Sequence, residues 1–170
     1  LVGSEMCIRD RDINQVNIYD CITGNASAAD IIQQCPEIKK LDVLPSSINL
    51  VGAETELLEI EDGQKRMKAI LEPLKPSYDF ILIDCSPSLG LVTLNALVAA
   101  DSVLIPSQPN FLSAKGLGLL LKSIGKVKRQ INPKLRVDGV LLTIVDNRTN
   151  NAKAIRASLR QTGSGVKVFD

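Results

Sequence analysis

Short apolar runs alternate with longer stretches whose apolar positions recur every three or four residues. The sharpest run is Phe80-Ile81-Leu82-Ile83, inside Tyr78–Asp84, which is apolar at consecutive positions and ends in a carboxylate. A strand apolar on both faces belongs in the middle of a parallel sheet. Cys85-Ser86-Pro87-Ser88-Leu89-Gly90 then reads as a tight loop, and Gly90 to Ala100 as a helix apolar nearly all round, with Thr93 and Asn95 as polar exceptions.

The same alternation extends both ways. Residues 15–34 predict two short helical pieces broken at Thr23-Gly24-Asn25, with Ser27 capping the second, Ala28 to Gln34. Leu41 to Pro45 predicts a strand followed by a polar loop. Glu54 to Leu74 predicts a helix with the stripe Leu57, Leu58, Met67, Ile70, Leu71 and Leu74, interrupted at Asp62-Gly63. Downstream come a strand at Ser102–Pro106, a helix capped by Ser113 and running to about Ile131, and a strand at Val137–Val145. A basic helix at Asn151–Gln161 and a strand opening at Val166 follow. The long helix carries its apolar stripe at Leu117, Leu120, Leu121, Ile124, Val127 and Ile131, and Asn132-Pro133 ends it.

Strands alternating with helices imply right-handed βαβ units: an α/β fold, a mostly parallel sheet with helices on both faces. In such a sheet every strand-to-helix loop opens on one rim, where α/β proteins bind ligands. The loops at Asp84–Gly90, Ser107–Asn110 and Asp146–Asn150 are thus expected to converge there.

Composition narrows the chemistry. Among 170 residues there is no histidine, which excludes Ser-His-Asp and Cys-His mechanisms within this chain. Cys7, Cys21, Cys35 and Cys85 form no Cys-x-x-Cys pair, so reduced thiols are expected rather than a zinc site. No uncharged apolar stretch is long enough for a membrane span. The net charge of +1 hides an asymmetry: residues 1–114 hold 8 Lys and Arg against 16 Asp and Glu, residues 115–170 hold 12 against 3. A basic half of this strength points to an anionic partner, or to a solvated surface that balances the acidic half.

Tyr78 to Leu97 resembles the Walker B and switch II region of ParA-type (Soj-like) partition ATPases, the deviant Walker A group of P-loop NTPases. Leu44 to Glu54, Ala100 to Pro106, Gly139 to Thr143 and Asp146 to Asn150 are similar to further stretches of that family, in the same order. The resemblance spans residues 14–170 and implies ATP and Mg2+ as cofactors. It implies that Asp84 serves the magnesium ion, directly or through a bound water, and that Cys85, Ser86, Pro87 and Ser88 form the switch. Ser88 also reads as an N-cap of the next helix, and Asn95 as a satisfied core amide. Asp146, Asn147 and Arg148 fall where the base and ribose would lie. The family forms an ATP-dependent homodimer, binds DNA non-specifically, responds to a ParB-type partner and works in the cytoplasm on the nucleoid. Lys122, Lys126, Arg129, Lys153, Arg156 and Arg160 are the DNA-contact candidates. Rival readings are a MinD-like membrane-associated cell-division ATPase and a non-catalytic scaffold on the same fold.

Two departures accompany the resemblance. Ser86 stands where the family often has proline. No Gly-x-x-x-x-Gly-Lys-Thr/Ser pattern occurs anywhere in the chain. Residues 1–11 resemble a non-native, adapter-derived tail. Residues 12–170 are accordingly expected to be a partial ATPase domain without its phosphate loop and C-terminal segment, inactive alone and left with an open apolar sheet edge.

Overall fold

The computed structural model describes residues 16–86, 88–108, 111–145 and 166–169. The chain divides into two compact units, one up to Ala99 and one from Ala100.

The first unit is a helical layer over a small hairpin. Helix α1 is Ile18–Thr23, and its N-terminus is closed by a capping box between Asn17 and Asp20. Gly24, at φ +87°, ends it in the left-handed conformation that glycine adopts without strain. Arg66 crosses back to donate from Nε to the Ile22 carbonyl at 2.9 Å, which satisfies one of the helix's open acceptors. Helix α2 covers only Ala28–Ile31, shorter than the periodicity predicts. Gln33–Gln34 instead becomes β1, paired antiparallel with β2, Asp42–Val43. Ser27 holds the cap position but its side chain makes no capping bond.

The predicted 54–74 helix is broken where Asp62-Gly63 suggested. Helix α3 is Ala53–Glu59, a 3-10 turn covers Gly63–Lys65, α4 is Arg66–Leu71, and a second 3-10 segment runs over Glu72–Ser77. Gly63 is required by close approach, since a Cβ there would lie 1.9 Å from the Leu57 carbonyl oxygen. Leu57, Met67 and Leu71 enter a core with Ile18, Cys21, Ile22, Ile31, Leu44 and Ala53. Leu58, assigned to the stripe from its spacing, is 78 % exposed. The break rotates the two halves relative to one another, so one straight helical wheel misplaces it.

Helix α5, Leu91–Ala99, closes this core as expected. Asn95 is 1 % exposed. Its amide donates to the Gly63 carbonyl at 2.9 Å and the Leu91 carbonyl at 3.3 Å, and its oxygen accepts from the Met67 amide at 3.0 Å. It is a satisfied core amide, and it ties α5 to the glycine break and to α4.

The second unit carries the parallel sheet. Strands β3 (Ser102–Ser107), β4 (Arg136–Leu142) and β5 (Val168–Phe169) lie side by side in that order, all parallel. Helix α6, Phe111–Gln130, makes the crossover from β3 to β4 and packs on β3 through a face that buries Ile124 and Val127. It begins two residues before Ser113, the predicted cap. Asp138 is the extra residue of a bulge, after which Gly139 brings β5 so close that a Cβ would meet the Lys167 carbonyl at 2.5 Å. No helix among the described residues is long and apolar enough to cross a membrane.

The Asn95 network yields a direct test. Asn95→Ala leaves the Gly63 carbonyl and the Met67 amide without their buried partner, and should destabilise the fold by about 2 to 4 kcal/mol. Urea denaturation should show a lower midpoint with an unchanged slope.

Candidate functional site

Tyr78–Asp84 is the element from which the site is built. The structure corrects one expectation about it. The segment is not assigned as a strand: among the described residues no strand pairs with it, and residues 79–86 make no backbone–backbone hydrogen bond there. Its two faces separate with the period of a strand. Ile81 and Ile83 pack against the core of the first unit, whereas Phe80 is 84 % exposed and Leu82 58 % exposed. The consecutive apolar pattern signals cover on both faces, and among the described residues only one face has it. Tyr78 anchors the start of the segment by donating its hydroxyl to Asp42 of β2 at 2.7 Å. That bond pushes the Tyr78 phenol above its ordinary value, because ionisation would remove the donor beside a carboxylate.

The segment delivers Asp84 to an exposed position, where its carboxylate has no hydrogen bond or ion pair among the described residues. Cys85, Ser86 and Ser88 follow, all exposed. The Cys85 sulfur lies against the backbone, 3.8 Å from the Ile83 carbonyl oxygen. Loss of hydration, and then the Asp84 charge, push the thiol up. The loop bonds mainly to itself: Ser88 Oγ meets Ser86 Oγ at 3.2 Å, and the Ser88 amide donates to Ser86 Oγ at 3.4 Å. Ser88 is not the cap of α5, since its hydroxyl is turned to Ser86. Its carbonyl instead accepts from Thr93 Oγ1 of α5 at 2.7 Å. Pro87 lies outside the described residues.

On the second unit, the parallel register places the ends of β3 and β4 on one rim. Ser107 stands opposite Leu142, and the Thr143 amide donates to the Ser107 carbonyl at 2.9 Å. The chain therefore leaves β3 and β4 at adjacent points, and the predicted Asp146–Asn150 loop itself lies outside the described residues. Ile144, 80 % exposed on that rim, sits at φ +53°, a region that costs a β-branched residue on the order of 1–3 kcal/mol. Asp146, Asn147 and Arg148 lie outside the described residues.

The basic candidates divide likewise. Lys122, Lys126 and Arg129 are exposed on α6, and their spacing of four and three sets them on the face opposite Ile124. None has an acidic partner among the described residues. Lys153, Arg156 and Arg160 lie outside the described residues.

Three contacts had no local signature in the sequence. Tyr19 donates to Glu56 Oε1 at 2.5 Å, joining α1 to α3. Glu54 rests on Gly90, and Thr93 reaches back to Ser88. Tyr19 with Glu56 and Glu54 with Gly90 are joined only by the fold; Thr93 and Ser88 lie five residues apart, and Thr93, like Asn95, stands out as a polar position on an apolar helix.

The thiol beside Asp84 gives a readout of this corner. The alkylation rate of Cys85 should rise with pH around a midpoint above that of an ordinary cysteine. Asp84→Asn removes the neighbouring negative charge, lowers that midpoint and speeds labelling at a fixed pH below it. An unchanged midpoint would show that the carboxylate does not face the thiol.

Comparison with known proteins identifies the family. A family model described as an AAA domain matches residues 3–137. The sporulation initiation inhibitor protein Soj of Bacillus subtilis is 44 % identical over 147 residues, covering 86 % of this chain and 57 % of Soj. The chromosome partitioning protein ParA of Myxococcus xanthus is 40 % identical over 158 residues, 93 % of this chain and 55 % of ParA. Cobyrinic acid a,c-diamide synthase of Mycobacterium smegmatis, solved with bound ADP and magnesium, superimposes with a TM-score of 0.83 at 31 % identity. That match covers 91 % of this chain and 62 % of the synthase. The chain thus spans a little over half the length of these curated relatives. The chain belongs to the AAA-domain family of ParA- and Soj-type partition ATPases, with their P-loop NTPase-like α/β fold.

Proposed function

We propose that this chain supplies the Walker B and switch II half of a partition ATPase, which binds ATP with magnesium, dimerises in that state, holds DNA without sequence preference and moves a DNA cargo. The observation that carries the reading is Asp84, a carboxylate exposed and unpaired at the carboxyl end of a core-anchored apolar segment. Its two oxygens are free to accept hydrogen bonds from water on a hard divalent cation. Among the described residues no group of three carboxylate or thiol side chains could hold a metal by itself. Asp84 therefore fits a supporting role toward a cation that arrives with the nucleotide's phosphates, not a cage built by the protein. When bound, that cation neutralises charge developing on the phosphoryl group.

The chain's own residues do the rest. Asp84 orients water on the cation, and the core contacts of Ile81 and Ile83 fix where the carboxylate stands. Cys85, Ser86, Pro87 and Ser88 form a loop that can change shape, since the exposed members bond mainly to each other. Asp146, Asn147 and Arg148 are proposed to meet the base and ribose at the rim shared by β3 and β4. A ParB-type partner would stimulate hydrolysis, and the assembly would work in the cytoplasm on the nucleoid. Lys122, Lys126 and Arg129 offer DNA a row of cations with no internal acidic partner.

The 170-residue chain contains no phosphate-loop pattern, so it should release no phosphate from ATP above background with magnesium present. In a longer chain that carries a phosphate loop, Asp84→Asn should lower kcat by roughly 100-fold or more without unfolding the protein. Appreciable magnesium-dependent hydrolysis by the 170 residues would overturn this division of the site.

The DNA surface has its own test. Reversing two charges, Lys122→Glu with Lys126→Glu, should weaken DNA binding for every sequence and reduce the slope of log affinity against log salt by about 2. An unchanged slope would remove α6 from the interface.

A further inference from the structure

We propose that Glu54 is a positioning residue for the Asp84–Gly90 loop, seated on Gly90 so that it fixes where the loop ends and α5 begins. An ideal Cβ on Gly90 would lie 1.8 Å from Glu54 Oε1, 2.8 Å from Cδ and 3.2 Å from Oε2. The carboxylate therefore rests directly on the glycine's Cα. Gly90 is not among the glycines at positive φ, which are Gly24 and Gly139. Its backbone is one that any residue adopts, so what the missing side chain provides is room for Glu54.

The seat is well founded on one side and free on the other. Glu54 projects from the first turn of α3, whose neighbours Ala53 and Leu57 are buried in the core. Gly90 immediately precedes Leu91, the first residue of α5, whose interior is tied down by Asn95. Thr93 holds the Ser88 carbonyl two residues upstream. The end of the loop is thus pinned at Ser88 by α5 and at Gly90 by α3, whereas Asp84, Cys85 and Ser86 are exposed. Ile81 and Ile83 hold the approach to the loop on the core, so Asp84, Cys85 and Ser86 stand between that anchored face and the pinned exit, and the position of the exit sets theirs. The negative charge also lies at the N-terminus of α5, where the helix dipole favours it. The contact stands on geometry alone; that the loop acts as a nucleotide switch rests on the function proposed above.

Cys85 reports on the loop, because Cys21 and Cys35 are buried and Cys85 is exposed. The full chain is treated with a small maleimide, and labelling at each cysteine is followed by peptide mass spectrometry. Gly90→Ala displaces the end of a flexible side chain and Glu54→Ala removes it, so neither needs the backbone to move. Each should raise the Cys85 labelling rate by about fivefold, and the double variant should do no more than either alone, because both remove one contact. Cys21 and Cys35 should stay protected in all three. Rates at Cys85 that do not change, effects that add, or a rise shared equally by Cys21 and Cys35 would each overturn the proposal. Loss of ATPase function in a longer chain bears on the switch reading and leaves this result unaffected.

Discussion

An extended backbone carries one donor and one acceptor per residue, and from Asp79 to Ser86 no backbone partner among the described residues takes them up. That constraint governs the rest of the first unit. The segment is held by one face only, through Ile81 and Ile83, and by the Tyr78 hydroxyl on Asp42. Phe80 and Leu82 stay in water, an arrangement that invites pairing with another chain. The same tethering presents Asp84 with both oxygens free. An apolar strand buried on both faces would hold that carboxylate more rigidly, but its one-sided anchoring already sets the point from which the loop departs.

Polar side-chain contacts do what the missing ladder does not. Asn95 links α5 to Gly63 and α4, Arg66 closes the end of α1, and Glu54 and Thr93 secure the exit of the loop. Each places a side chain on a backbone group or glycine that the helix breaks leave open. The glycine at 63 and the break beside it are therefore part of the site's support, since they expose the carbonyl that Asn95 uses. In the second unit the device differs: parallel pairing of β3 with β4 brings Ser107 and Thr143 together and puts two loops on one rim.

Periodicity made much of this legible. The helix at Leu91–Ala99, the strand at Ser102–Ser107, the long helix ending before Asn132-Pro133 and the break at Asp62-Gly63 all follow from local pattern and breaker residues. Pattern also singled out Asp84 as a candidate, a lone carboxylate at the end of an apolar run. It misread Leu58, whose phase is lost across a helix break, and Gln33–Gln34, where pairing with β2 overrides helical propensity. It placed Tyr78–Asp84 inside a sheet because a consecutive apolar run reports what a segment requires, not what covers it. Contacts such as Glu54 on Gly90 are invisible to it, since they join positions that only the tertiary fold makes neighbours.

The central claim is that Asp84 ends an apolar segment held on one face with its backbone row open. Hydrogen exchange on the 170-residue chain measures this directly. Amides of residues 80–84 should exchange nearly as fast as in an unstructured peptide, while those of Val103–Ile105 and Val140–Leu142 are protected by the β3–β4 ladder. Protection at residues 80–84 equal to that of the ladder would contradict the account, because it would require a paired strand where the described residues show none.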